Sequence, residues 1–230
     1  MRALVRIEVF TGVFLSEPRG GGVGYVTVPA RPAGVHGPSG SVAGRAGGQA
    51  VGLIRPASGE LHHHGELPPA FVPQRTAIGD TLPLTVRQTV ETGRWGRRGP
   101  WRRLTGRDHA AVDHALDRLG IGDLATRQLG ELSGGQRRRA LIAQGLAQGS
   151  DLLLLDEPTT ELDPEARERI GALLTELVAD GVTVVQATHD LDAARSADTC
   201  LVLRDGRLAG AGRPDQVLTE SALARIRQPL

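Results

Sequence analysis

The sequence has 230 residues with 27 basic and 26 acidic side chains, and its formal net charge of +1 does not favour nucleic acid as a partner. The hydrophobic fraction of 40% is typical of a globular protein, and no apolar run reaches about 18 residues, which excludes a membrane-spanning helix. All the basic residues are arginines, because the chain contains no lysine.

The one cysteine, Cys200, lies in an apolar run, and we expect it to be a buried strand residue rather than a reactive thiol. A single cysteine forms no intrachain disulfide. The first residues include Glu8 and lack the long apolar stretch of a signal peptide. We therefore expect a cytoplasmic protein without a signal peptide.

The first 52 residues show little periodicity. They are rich in glycine, proline and arginine, and they contain one valine-rich stretch, at 23–28, that predicts a strand. The pattern becomes clearer from Leu53 onward. A short apolar run at 71–72 predicts a strand that ends just before Gln74.

Three helices are predicted in the middle of the chain. The first runs to residue 94, and Thr85 is its candidate N-cap. The second is predicted over 108–120, because apolar residues recur there at helical spacing. The third, over 133–148, begins at a serine.

The last third of the chain alternates strands and helices. Four leucines precede Asp156, and a continuous apolar run of this kind indicates a parallel strand buried on both faces. The pattern then predicts a helix, a strand and a short helix, at 165–179, 182–188 and 191–196. The segments 199–203 and 208–211 flank a turn and predict a β-hairpin. Alternating strands and helices predict an α/β fold built on a parallel sheet.

A serine and two glycines open the third helix, in the sequence Leu132-Ser-Gly-Gly-Gln136. Backbone N–H groups at a helix N-terminus, together with a hydroxyl, form a site for an anion. Glycine also lets the backbone approach a phosphate closely. Taken alone, Ser133 could equally be an ordinary N-cap. The acidic strand end that follows about twenty residues later favours the phosphate interpretation.

Two carboxylates end the buried strand, at the carboxyl edge where open α/β sheets bind ligands. Asp156 is a candidate Mg²⁺ ligand, acting through water, and Glu157 is a candidate base that polarises an attacking water. His189, at the end of the next strand, could contact a terminal phosphate. A solvated acidic turn is the alternative for the carboxylates, and a lone histidine or a lone Gln74 carries no signal by itself.

In this order and spacing, the motifs resemble those of the ATP-binding subunits of ABC transporters, from roughly residue 53 onward. Ser133-Gly-Gly-Gln136 resembles the signature motif, and Asp156 and Glu157 resemble the Walker B acid and the catalytic glutamate. Leu162-Asp163 resembles the D-loop, His189 resembles the switch histidine, and Gln74 resembles the Q-loop. The resemblance implies catalytic roles for Glu157, His189 and Gln74, and Mg²⁺ ligands at Asp156 and Gln74. It implies ATP contacts from Gly37, Ser39, Gly40, Ser41, Ser133, Gly134, Gly135, Gln136 and Asp163.

The resemblance also implies a fold. We expect an α/β fold with a P-loop NTPase-like ABC ATPase core, in which a parallel sheet is joined by an α-helical subdomain. The whole chain, 1–230, would form one ATP-binding domain. Its parts would be the P-loop region at 1–52, the helical subdomain at approximately 76–150, and the remainder of the core at 151–230.

Partners and cofactors follow from the same resemblance. Two ATP-binding subunits, identical or different, would pair so that the signature motif of one closes over the ATP of the other. Transmembrane permease subunits and an external solute-binding protein would complete the assembly, with ATP and Mg²⁺ as cofactors and no nucleic acid. The chain would then be cytoplasmic and peripheral on the inner face of the cell membrane.

A finer resemblance concerns the substrate. The segments Val72-Pro-Gln-Arg75, 82–86 and 93–95 are similar to those of zinc and manganese importers, and so is the tail at 206–214. Iron–siderophore importers share much of this pattern. The resemblance therefore implies import of a metal ion, and it leaves the identity of the substrate and the direction of transport open.

The P-loop of the family, G-x-x-x-x-G-K-[ST], is not intact in this chain. Its expected place is 37–45, where the first half fits. Val42 then replaces the second glycine, Ala43 replaces the lysine, and Gly44 replaces the residue whose hydroxyl binds Mg²⁺. The spacing to the following segment still matches the family, and a chain without lysine has no other segment that could supply the missing ammonium group.

Three interpretations of this segment remain open. The subunit has lost ATP binding, or Arg45 replaces the lysine charge, although a planar guanidinium is a poor copy of a compact ammonium. Alternatively, the residues before about position 52 are a frame-shifted translation of a normal gene, which fits their weak patterning. Two functional alternatives also remain. One is a non-catalytic subunit that only docks and pairs, and the other is a soluble ABC ATPase acting on DNA or ribosomes.

Two further segments suggest contacts. The run His62-His-His64 could bind metal, but consecutive histidines on a strand point to alternate faces, so a solvated strand end is the favoured interpretation. A basic and aromatic stretch predicts a docking surface for a membrane subunit, with nucleic acid and a solvated basic loop as the alternatives. Its members are Arg94, Trp95, Arg97, Arg98, Trp101, Arg102 and Arg103.

Overall fold

The computed structural model describes residues 12–16, 67–74, 83–99, 101–160, 162–204 and 207–227. Its strands are β1 (Gly12–Ser16), β2 (Ala70–Val72), β3 (Leu152–Asp156), β4 (Thr183–Thr188), β5 (Thr199–Arg204) and β6 (Arg207–Gly212). Its α-helices are α1 (Val86–Thr92), α2 (Trp95–Arg98), α3 (Gly106–Arg118), α4 (Gly134–Gln148), α5 (Pro164–Ala179), α6 (Leu191–Arg195), α7 (Pro214–Val217) and α8 (Glu220–Arg227). Short 3₁₀ helices lie at Gly122–Leu124 and Leu129–Glu131.

The described strands form one sheet in the order β2-β3-β4-β1-β5-β6. β2, β3 and β4 are parallel neighbours, with Val72 opposite Leu155 and Asp156 opposite Ala187. Their carboxyl ends therefore meet at one edge of the sheet. β5 and β6 form the predicted antiparallel hairpin. The α/β class is confirmed, although the sheet is mixed rather than wholly parallel.

β1 lies between β4 and β5 and is antiparallel to both. Gly12, at its start, is opposite Thr188, whereas Ser16, at its end, is opposite Val184. The chain thus enters β1 at the edge where β3 and β4 end, and it leaves from the other edge.

The apolar patterns of the sequence account for the packing of the core. Leucines 153–155 of β3 are all buried, as the continuous apolar run predicts for a central strand. α5 buries an amphipathic stripe at helical spacing, formed by Ile170, Leu173, Leu174 and Leu177. α1, α3 and α4 pack together beside β2 and share one continuous apolar cluster with the sheet.

One close approach between helices requires glycine. A Cβ on Gly93, just after α1, would lie 2.2 Å from the carbonyl oxygen of Gln144 in α4. Real Cβ atoms do not come that near to backbone oxygen, so any larger residue would push the two helices apart. Gly93 therefore sets the spacing between α1 and α4.

The helix boundaries differ from the sequence expectations at two places. α1 ends at Thr92, two residues early, and is followed by the short α2. α3 begins at Gly106 instead of residue 108, with Thr105 as its N-cap. Asp108 is the third helical residue and closes a capping box, because its Oδ2 accepts hydrogen bonds from Thr105 N and Oγ1 at 2.9 and 2.6 Å. The strand expected at 23–28 lies outside the described residues.

Arg94 belongs to the core and not to a docking surface, which corrects the expectation for this member of the basic stretch. Its side chain is 6% exposed, and its Nε and Nη2 donate to Asp108 Oδ1 at 3.0 and 2.9 Å. Its Nη1 donates to the carbonyl oxygen of Ala147 at 2.7 Å. The guanidinium therefore links the first turn of α3 to the last turn of α4. In the buried Arg94–Asp108 ion pair, each charge has an opposite charge as its partner.

The buried Arg94–Asp108 ion pair should contribute measurably to the stability of the fold. Replacing Arg94 with methionine leaves the Asp108 carboxylate buried without its cation, and breaking a buried pair from one side costs about 3–5 kcal/mol. We expect the free energy of unfolding, measured by urea denaturation, to fall by that amount. Arg97→Met, at an exposed position in the next turn, is the matched control. Equal losses in both variants would contradict the assignment of Arg94 to the core.

Cys200 is on β5 and is fully buried, as the sequence predicted. Its Sγ donates to the carbonyl oxygen of Ala194. Burial raises the pKa of this thiol to about 12, so the reactive thiolate is disfavoured.

No described helix has the length and apolarity to cross a bilayer. The subdomain boundaries at approximately 76–150 stay a prediction.

Candidate functional site

Three of the predicted site residues follow three adjacent parallel strands. Gln74 comes two residues after β2, Asp156 is the last residue of β3, and His189 comes directly after β4. Parallel neighbours end at the same edge, so the sheet brings these residues to one side of the molecule. Asp156 is 2% exposed, whereas Gln74 and His189 are exposed.

Glu157 lies at the centre of this edge with its carboxylate held by three donors. Its Oε1 is 2.9 Å from His189 Nδ1. Its Oε2 accepts hydrogen bonds from Thr160 Oγ1 at 2.8 Å and from Thr188 Oγ1 at 3.2 Å. An ionised carboxylate has about four lone-pair positions, so these contacts leave it the capacity to accept one more donor, such as a water.

The backbone of Glu157 is also unusual. Its φ is +48°, which is the left-handed region that non-glycine residues rarely adopt. The conformation costs about 1–3 kcal/mol and persists only where surrounding contacts hold it. One such contact is the 2.7 Å hydrogen bond from Glu157 N to the carbonyl oxygen of Ala187, in β4. Strain of this kind concentrates at functional sites.

Ser133 is the N-cap of α4, as predicted for the third helix. Its Oγ accepts from Gln136 N at 3.3 Å, and Gln136 Oε1 accepts from Ser133 N at 3.1 Å, which together form a capping box. The capping role is thus present in this chain. It does not use the hydroxyl proton of Ser133, which remains able to donate to a phosphate oxygen. The ATP contacts expected of Ser133, Gly134, Gly135 and Gln136 stay a prediction.

The start of α4 lies against the start of α5. A Cβ on Gly135 would be 3.2 Å from the Cβ of Ala166, so glycine permits this close approach. Asp163 is the N-cap of α5, and its Oδ1 accepts from Ala166 N at 2.8 Å. The signature-like and D-loop-like segments are therefore neighbours, and the ATP contact expected of Asp163 stays a prediction.

The structure adds three residues that the sequence interpretation missed. Arg138, in α4, is 7% exposed and donates to the backbone carbonyls of Pro73, which precedes Gln74, and of Asp156. Thr160 and Thr188 bind the Glu157 carboxylate. Arg138 carried a usable signal, because it precedes Ile142 and Gly145 by four and seven residues, and residues at this spacing share the core-facing side of a helix. The threonines carried none, since their contacts depend on tertiary structure.

The donor set at this edge suits Mg²⁺. Carboxylate and amide oxygens from Asp156 and Gln74 are the ligand types that Mg²⁺ prefers, and this ion usually keeps several waters and takes only one or two protein carboxylates. Within the part of the chain that the structure describes, no group of three or more His, Cys, Asp or Glu residues could enclose a metal ion. The edge therefore fits a partly hydrated Mg²⁺ better than a metal held entirely by the protein.

Several predicted site residues lie outside the described residues. They are Gly37, Ser39, Gly40 and Ser41, together with Val42, Ala43, Gly44, Arg45 and the histidines at 62–64. Their expected roles stay predictions from sequence.

Comparisons with known proteins identify the family. A profile of the ABC transporter family matches residues 51–160. A "Probable metal transport system ATP-binding protein" of Chlamydia muridarum is 34% identical over 179 residues, covering 75% of this chain and 69% of that protein. The "Manganese transport system ATP-binding protein MntA" of Synechocystis sp. is 31% identical over 195 residues, covering 81% and 75%.

A solved structure agrees with the sequence matches. The protein cbiO1 of Clostridium perfringens, described as part of the ABC transporter complex cbiONQ, superposes with a TM-score of 0.63. Its sequence is 29% identical, and the alignment covers 80% of this chain and 78% of that one. The sequence motifs, the relatives and the fold therefore agree. The chain therefore belongs to the ABC transporter family, as one of its ATP-binding proteins.

Proposed function

We propose that this chain is the ATP-binding subunit of an ABC transporter that moves a metal ion or metal chelate, and that its own P-loop is impaired. The observation that carries the proposal is that Gln74, Asp156 and His189 follow three adjacent parallel strands at one sheet edge, where His189 Nδ1 lies 2.9 Å from Glu157 Oε1. The metal substrate is supported by the names of the relatives, a metal transport and a manganese transport ATP-binding protein.

When ATP is bound at the chain's own edge, the residues there are suited to hydrolyse it. Glu157 is the general base: its carboxylate accepts the proton of a water as the water oxygen bonds to the γ-phosphorus and the bond to the bridging oxygen breaks. Thr160, Thr188 and His189 orient that carboxylate. Asp156 and Gln74 would hold Mg²⁺, which would neutralise part of the phosphate charge.

The signature-like segment serves a different nucleotide. The helix start at Ser133, Gly134 and Gly135 offers N–H groups and a hydroxyl to the ATP bound by a second subunit. A pair of ATP-binding subunits, alike or different, places each signature motif opposite the other P-loop in this family. Closure of the pair around ATP and reopening after hydrolysis then shift the membrane subunits between inward and outward states.

The impaired P-loop is supported by two features. Val42, Ala43 and Gly44 remove the glycine, the cation and the hydroxyl of the motif. The family profile begins to match at residue 51, after this segment. Substitution of the lysine charge by Arg45 and a frame-shifted 1–52 region remain the competing explanations.

A subunit that docks and pairs without hydrolysing ATP is the second candidate, and the P-loop departure favours it. Such a subunit would still present its signature segment to the partner's ATP. In either form, the chain would lie on the inner face of the membrane, bound to permease subunits and supplied by an external solute-binding protein.

The docking surface tests the transporter assignment. Trp101 is 95% exposed and Trp95 is 44% exposed, next to the exposed cations Arg97 and Arg102. Large exposed aromatics beside arginines are typical anchors of protein interfaces. Changing Arg97, Trp101 and Arg102 together to alanine is expected to reduce co-purification with a membrane subunit encoded nearby by about ten-fold or more.

The matched control changes exposed arginines elsewhere, Arg169 and Arg195, to alanine. This variant should co-purify at the wild-type level. Undiminished recovery of the membrane subunit with the Arg97, Trp101 and Arg102 variant would rule this surface out as the docking site.

A further inference from the structure

Arg138 joins the two segments that carry the proposed catalytic residues. We propose that Arg138 is a positioning residue whose guanidinium holds the Gln74 segment against the Asp156–Pro158 turn, so that both keep one geometry at the site edge. The inference rests on the proposed roles of Gln74, Asp156 and Glu157.

The contacts all run from the guanidinium to backbone carbonyl oxygens. Nη1 donates to Pro73 O at 2.7 Å and to Gln74 O at 3.4 Å. Nη2 donates to Asp156 O, and Nε donates to Pro158 O at 3.2 Å. Carbonyls on both sides of Glu157 are therefore bound to the same rigid group that binds the carbonyl of Gln74.

Arginine suits this position for a geometric reason. Its planar fork presents five N–H donors in fixed directions, whereas lysine presents a point charge and glutamine presents only two N–H donors. A buried carbonyl that loses its donor is unfavourable, so a shorter or narrower side chain would release part of one segment. The guanidinium thus keeps the Gln74 segment and the Asp156–Pro158 turn in a fixed position relative to each other.

The electrostatics of the site agree with this role. Burial lowers the pKa of Arg138 to about 10, and the carboxylates of Asp156 and Glu157 act in the opposite direction. The guanidinium is therefore still cationic near neutral pH, facing the two acids of the site. A cation in this place also offsets the repulsion between two neighbouring carboxylates at the end of β3.

Arg138 and its neighbour Arg139 have different hydrogen-bond partners because they lie on different sides of α4. Arg139 donates instead to Leu119 O and Gly120 O, both at 3.0 Å, and thereby ties α4 to the end of α3. Arg138 points from the same helix to the site edge. Because α4 begins at Ser133, Arg138 connects the helix that would serve the partner's ATP with the residues that would act on the chain's own ATP.

Hydrogen exchange of the full-length chain tests the proposal without any need for turnover. In Arg138→Gln, amide exchange in segments 70–74 and 152–160 should be about ten-fold faster, relative to the amides of β5, which report global opening. Arg138→Lys should give an intermediate rate. In Arg139→Gln, the faster exchange should be confined to residues around 119–121. Uniform acceleration in Arg138→Gln, or none at the two segments, would overturn the proposal.

A kinetic measurement adds a readout that a purely structural role would not move. In a chain with a repaired P-loop, Arg138→Gln should lower kcat about ten-fold while the KM for ATP changes less than about three-fold, because the arginine contacts the carbonyls and not the nucleotide. A raised KM with unchanged kcat would overturn the proposal. Absence of turnover in the repaired parent would instead refute the proposed function, and the exchange experiment would still decide the role of Arg138.

Discussion

Replacing Val42 with glycine, Ala43 with lysine and Gly44 with serine is expected to raise the affinity for MgATP by at least about a hundred-fold. Each restored charge-assisted contact, one from the ammonium and one through the hydroxyl, contributes about 1.5–3 kcal/mol, and the glycine allows the loop backbone to turn around the phosphates. The two contributions together are about 3–6 kcal/mol if they are additive. The unmodified chain should bind MgATP weakly.

Titration calorimetry of the wild-type and triple-variant chains measures this difference. Arg45→Ala is the informative control, because it should leave the weak binding of the parent unchanged. Tight MgATP binding by the unmodified chain, lost in Arg45→Ala, would show that Arg45 supplies the missing charge. Resequencing the gene across codons 1–55 separates a true loss from a shifted reading frame.

Glu157→Gln is expected to slow ATP turnover by about 10²–10⁴-fold while leaving MgATP binding intact. Glutamine keeps the shape of the side chain and can still contact Thr160 and Thr188, but its amide is not basic enough to accept a proton from water. The experiment uses the triple variant with the repaired P-loop, paired with its membrane subunit, and measures phosphate release at saturating ATP.

The matched control for this change is Glu165→Gln, an exposed glutamate in the first turn of α5. It should leave turnover within about two-fold of the parent, because surface charges contribute little. Turnover by Glu157→Gln at the parent rate would reject Glu157 as the base, even though its carboxylate lies 2.9 Å from His189 Nδ1.

Local signals in the sequence predicted most of the individual elements. The leucine run before Asp156 predicted a buried strand, and Thr85 and Ser133 were predicted as caps of helices that the structure contains. These features depend on residues a few positions apart, such as a serine and the amide three residues later. Period and capping chemistry are therefore readable from sequence, and the order of the motifs indicated the family.

Contacts between distant residues escaped the same analysis. Arg94 looked like part of a basic surface, yet it pairs with Asp108 in the interior, because a charged residue at a helix junction is buried when a partner arrives from another helix. The three consecutive arginines at 137–139 looked alike. The helix rotates each by about 100°, so that Arg138 faces the site edge while Arg139 faces α3.

Sequence patterns were sufficient to predict the α/β class, the approximate positions of β2 to β6, α1 and α3 to α6, and the acidic and polar residues at the ends of three strands. They did not predict α2, α7 or α8. The order of the strands, the antiparallel pairing of β1 with β4, and the contacts of Thr160, Thr188 and His189 with Glu157 became visible in the folded chain alone. Hydrophobic period and capping act over a few residues, whereas strand pairing and side-chain hydrogen bonds join positions that are tens of residues apart and depend on packing of the whole core.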